Sequence, residues 1–89
     1  MKLTWTPPAI ERFEEIAAYI AEDNPDAAAR IADRIVSATE RVLKMPLLGR
    51  HGKKADTREL PIAGTPYIMI YRVKPDVIEI LTIWHGAQD

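Results

Sequence analysis

A small set of side chains carries the chemistry this sequence can offer. His85 stands near the end of the chain with Gly86 behind it, and Arg50, Lys53, Lys54 and Arg58 fall within nine residues of one another. Tyr67 and Tyr71 lie four apart with Met69 between them. A histidine at a strand terminus beside a loop is a candidate general acid or base. The same position equally suits a histidine bonded to backbone or to a helix end. The four cations, set against Asp56 and Glu59, give residues 50–59 a net charge of +2. Such a patch can meet a phosphate backbone or an acidic partner. Lys53 and Lys54 also fit a plain solvated loop. Arg50 and Arg58 are placed to pin that loop through carboxylates or carbonyls. Tyr67, Met69 and Tyr71 share one strand face, where tyrosines act as core-edge residues with a satisfied hydroxyl or as contacts to a ligand. His51 reads as solvated. With no partner at ligand spacing, no metal is expected.

The rest of the composition narrows the classes. The chain has 89 residues, 12 Lys+Arg, 13 Asp+Glu and a net charge of −1, which excludes a strongly basic nucleic-acid coat. Without cysteine there is no disulfide, no thiolate metal site and no thiol nucleophile. A domain of this size buries only about 60% of its unfolded surface, so stability leans on packing or on a partner. The start is too short and polar for a signal peptide, and no apolar run reaches membrane length, so a cytoplasmic location is expected. No Gly-rich phosphate loop, nucleophile elbow or paired-acid motif is present, and no cofactor is expected.

The elements that must position these residues follow from periodicity. Residues 2–5 alternate as a short strand. Thr6-Pro7 starts a helix over about 8–22, with Ile10, Phe13, Ile16, Ala17 and Ile20 on its apolar face. Asn24-Pro25 starts a second over about 25–45, with Ala28, Ile31, Ile35, Ala38, Val42 and Met45 in a row. A loop of two or three residues makes the pair an antiparallel hairpin. Thr57–Ile62, Tyr67–Val73 and Val77–Trp84 read as strands, the last apolar on both faces and hence mid-sheet. The expected fold is α+β, in the order β-α-α-β-β-β. It is a single domain with a helical hairpin on a mainly antiparallel four-stranded sheet.

Segment wording adds a resemblance. Tyr19-Ile20-Ala21-Glu22-Asp23-Asn24-Pro25-Asp26-Ala27-Ala28, Pro46-Leu47-Leu48-Gly49-Arg50, Arg58-Glu59-Leu60, Tyr67 through Val73 and Ile78 through His85 occur in that order. Together they resemble the ParE/RelE superfamily, the toxins of type II toxin–antitoxin modules, over nearly the whole chain. The resemblance implies one of two activities. RelE-like members cleave messenger RNA on the ribosome, which needs proton transfer and cationic stabilisation of a phosphorane. ParE-like members bind and poison DNA gyrase.

Ile68 stands where RelE-like nucleases place an arginine, three residues before the position of Tyr71. The tail Gly86-Ala87-Gln88-Asp89 lacks the basic residues common there. His85 suits either branch. The ParE-like tail commonly has arginine after this histidine, and here Ala87 and Gln88 stand instead. The resemblance therefore implies a binding toxin with no catalytic residues, with Arg50, Lys53, Lys54, Arg58, Arg72 and His85 as candidates for the gyrase-facing surface. The alternative is an endoribonuclease with His85 as acid/base and Lys53, Lys54 and Arg58 holding phosphate. Either implies a ParD-like or RelB-like antitoxin, in a hetero-oligomer, that lays an amphipathic helix on an apolar groove. Tyr19, Tyr67, Met69 and Tyr71 are candidates for that groove. No membrane contact and no direct nucleic-acid binding by the toxin alone are expected.

Overall fold

The computed structural model describes residues 1–86. The strand β1 (Lys2–Trp5) leads into α1 (Pro7–Asp23) and α2 (Pro25–Lys44), followed by β2 (Arg50–His51), β3 (Thr57–Pro61), β4 (Tyr67–Val73) and β5 (Val77–His85). Thr6 caps α1: its Oγ1 accepts from the Ala9 N–H at 3.4 Å and donates to the Ile80 carbonyl at 2.8 Å, so the helix start is fastened to the sheet. The helices are joined by Asn24 alone, a tighter turn than expected. Its N–H closes α1 onto the Ile20 carbonyl, and its Oδ1 caps α2 at the Ala27 N–H.

The sheet has five strands, not four, in the order β1-β5-β4-β3-β2. The added strand is Arg50–His51, paired antiparallel with Glu59 and Arg58. Two residues are too few to show alternation. β1 runs parallel to β5, and all other pairs are antiparallel. β5 is therefore interior to the sheet, as expected, but only the face carrying Ile78, Ile80 and Ile83 is fully buried, and Trp84 is 37% exposed. Its two-faced look has a further cause. Ile70 pairs with Thr82 and Tyr71 with Ile80, which leaves Leu81 as an extra residue. This bulge lets Ile78, Ile80 and Ile83 all face the helices despite the uneven spacing.

The helical hairpin packs on one sheet face. Ala9, Ile16, Ile35, Ala38 and Val42 meet Leu60, Ile62, Tyr67, Met69, Tyr71, Ile78, Ile80 and Ile83 in one buried cluster. Trp5 and Phe13 stack edge to face at 5.5 Å and tie β1 to α1. Two residues assigned to the core rows lie outside it. Ile10 is 46% exposed because the inward stripe of α1 runs through Ala9, Phe13 and Ile16. Met45 is 59% exposed because α2 ends one residue earlier, at Lys44.

Candidate functional site

The candidate residues divide between two regions. The first is the corner where α2 ends and the β2–β3 hairpin begins. Pro46 stops the helix, and the chain must cross to the sheet over Pro46–Gly49. Tyr71, fully buried on β4, governs that crossing. Its O–H donates to the Pro46 carbonyl at 2.8 Å and its Oη accepts from the Gly49 N–H at 2.8 Å. Burial pushes this phenol's pKa up, partly offset by the Gly49 N–H and the Arg58 charge. A side chain at Gly49 would sit 2.8 Å from the Tyr71 hydroxyl, which is why glycine occupies this approach.

Arg58 secures the same segment from β3. Its Nη1 donates to the Gly49 carbonyl at 2.8 Å and to the Leu47 carbonyl at 3.4 Å. Arg50 pairs with Glu59 at 3.2 Å, the carboxylate side chain 8% exposed and the guanidinium 63%. Both arginines thus pin the loop, as their positions in the sequence suggested. Glu59, counted in the sequence only as a loop charge, is the buried anchor of that pin. Lys53 and Lys54 lie exposed in the turn between β2 and β3, where Asp56 takes a left-handed φ of 61°. Leu47, His51, Asp56, Thr57, Arg58 and Val73 line an open cleft of about 270 Å³.

The second region is the far end of the sheet. His85 pairs in register with Tyr67, and their rings meet edge to face at 5.5 Å. Arg58 pairs with Tyr71 on the opposite flank of β4. Four residues along β4 and two strand spacings across put the His85 and Arg58 backbones about 16 Å apart. Arg72 belongs to neither region. It lies 3.8 Å from Glu79, which Lys74 approaches at 3.5 Å.

The proposed antitoxin face is corrected. Tyr67, Met69 and Tyr71 are 7%, 0% and 0% exposed, because this row points at the helical hairpin and is sealed by it. Tyr19 alone of that set is open, at 74%. Sequence reasoning missed Leu43, Met45 and Leu47, which are 39%, 59% and 66% exposed at the α2 exit. The signal was there in Pro46 and Gly49 for Met45 and Leu47, which fall past the end of α2, whereas Leu43 lies within α2 but outside its buried row of Ala28, Ile35, Ala38 and Val42. Residues 87–89, where the missing arginine of the tail was noted, lie outside the described residues. Among the described residues no group of three His, Asp or Glu could hold a metal, and no helix is long and apolar enough to cross a membrane.

Residues 3–89 match the family described as ParE toxin of the type II toxin–antitoxin system parDE. The chain belongs to the ParE toxin family. Among its relatives, Y4kP of Sinorhizobium fredii, named as a toxin, is 47% identical over 98% of this chain and 90% of that protein. Toxin RelE2 of Caulobacter vibrioides is 32% identical over 98% of this chain and 97% of that protein. A solved structure of the chromosomal ParDE system of P. aeruginosa superposes with a TM-score of 0.87 at 25% identity, covering 96% of this chain and 95% of that one. The YoeB dimer of Staphylococcus aureus matches at 0.64 and 13% identity over 92% of both chains, and shares the fold. This ParE-family chain is thus a type II toxin of the ParE/RelE superfamily, built as two helices on a five-stranded sheet.

Proposed function

We propose that this ParE-family toxin acts by binding, that its target is DNA gyrase, and that a ParD-like antitoxin neutralises it in a hetero-oligomer. The observation that supports binding over catalysis is the separation of the candidate nuclease groups. RNA cleavage needs an acid/base and cations within about 3 Å of one reacting phosphate. His85 lies at one end of the sheet, against Tyr67. Arg58 lies on the far flank of β4, its guanidinium committed to two carbonyls. Ile68 offers no charge between them. The ParDE structural match supports the antitoxin partner and leans towards the ParE branch.

The test uses toxin purified free of antitoxin, assayed for inhibition of gyrase supercoiling and, in parallel, for cleavage of ribosome-bound message. Inhibited supercoiling with intact message is expected, and His85→Ala leaves message intact as the wild type does. Message cut by the wild type and spared by His85→Ala would sink the binding reading.

A further inference from the structure

The outer surface of the helical hairpin carries two ridges of opposite charge. On α1, Glu11, Glu15, Ala18 and Glu22 fall at i, i+4, i+7 and i+11, one row of a helix, with Glu14 beside it. On α2, Arg30, Arg34, Ser37 and Arg41 repeat that spacing. All of these residues are exposed. The rows match in pitch, oppose in sign, and each has a small residue in its third place. Among the described residues Glu15 meets Arg12 at 3.8 Å, while Glu11, Glu14, Glu22 and Arg41 meet no opposite charge at ion-pair distance. Asp33 and Glu40 stand three and four residues from Arg30 and Lys44 and balance those two. Arg34 and Arg41 are then the surplus on α2.

Two hydrogen bonds fix how the ridges lie. Arg12 donates to the Ile83 carbonyl at 3.0 Å and Arg34 to the Ala63 carbonyl at 3.4 Å, so these side chains mark the outer flanks of the hairpin. The opposite flanks meet at its seam, with Ile10, Ala17 and Ala21 from α1 and Ala32, Val36 and Leu43 from α2. Ile10, Val36 and Leu43 stand exposed there. The face is thus acidic along one side, apolar along the middle and basic along the other.

Such a face is complementary to itself. A two-fold axis parallel to the helices lays α1 of one copy antiparallel on α2 of the other, twice over. A two-fold axis across the helices would lay α1 on α1 and set glutamates against glutamates, so charge selects the first arrangement. We propose that the free toxin forms an isologous dimer through the outer face of its helical hairpin. Ile10, Val36 and Leu43 pack about the axis, and the glutamates of each α1 face Arg34 and Arg41 of the other copy. The face is about 25 Å long, the span of α1, and two helices wide, which is the small end for a specific interface. The dimer is therefore weak and salt-sensitive, and forms at micromolar concentrations and above.

The experiment is sedimentation equilibrium of the full chain, purified free of antitoxin, at low and high salt. The variants are Glu11→Arg and Arg41→Glu, both at exposed positions, with folding checked by circular dichroism. The wild type is expected at twice the chain mass in low salt and dissociates as salt rises. Each variant alone sets like charges together at both contacts and weakens dimerisation by roughly tenfold or more. Mixed one to one, the two variants recover it, because each contact of the mixed dimer again joins an acid to a base. A wild type that stays monomeric, or a mixture no better than its separate parts, would overturn the proposal. So would a dimer indifferent to both variants. Protection of the hairpin from hydrogen exchange only after antitoxin is added would give this face to the antitoxin instead.

Discussion

Tyr71 shows how much one hydroxyl can organise. Its oxygen joins β4 to both ends of the helix exit, and Tyr71→Phe would leave the Gly49 N–H and Pro46 C=O without that partner. The expected cost is about 1–3 kcal/mol, read as a drop of roughly 5–20 °C in Tm for a domain this small. Because the folded pKa is raised, the neutral phenol is the form the fold prefers. Its contribution is full below the unfolded pKa near 10 and is lost as pH rises towards the folded value. Urea midpoints of wild type should therefore fall above about pH 10 more steeply than those of Tyr71→Phe; parallel curves would contradict this. At this scale the sequence was informative in part. Arginine beside a helix-ending glycine pointed to loop pinning, and Arg58 does pin. It did not show which face of β4 is covered, because alternation says that Tyr67, Met69 and Tyr71 share a face, not what lies on it.

Among the elements, the Asn24 junction is the most exacting. One residue ends α1 and starts α2, so Asn24→Ala removes the cap from α2 while leaving the backbone bond to Ile20. A loss of about 1 kcal/mol in thermal or urea unfolding is expected, with Asn24→Asp nearly neutral. Element type was legible throughout the longer segments, where capping residues and periodicity agreed: Thr6-Pro7, Asn24-Pro25 and Tyr67–Val73 all fall where they were expected. What escaped was local. Arg50–His51 has no period to read, and the Leu81 bulge turns a one-faced strand into an apparently two-faced run. The α1 stripe drifts so that Ala9, a small residue easily discounted, replaces Ile10 in the core.

For the whole molecule, the decisive contacts are between the chain's beginning and its end. β5 contributes Ile78, Ile80 and Ile83, each 0% exposed, and pairs with both β1 and β4. Burial of three such side chains is worth about 5–9 kcal/mol, comparable to the entire stability of a small domain. A fragment of residues 1–76 is expected to show no cooperative melt by circular dichroism; a sharp transition would show that the first strand and the hairpin fold without the last. The parallel pairing of β1 with β5 thus has a consequence in time. During translation the first strand emerges long before its partner is synthesised, and Thr6 waits for the carbonyl of Ile80. A nascent chain cannot assemble this sheet while the final segment remains inside the ribosome. The sheet closes only once residues 77–85 have left the ribosome, and with it the buried cluster that Ile78, Ile80 and Ile83 complete.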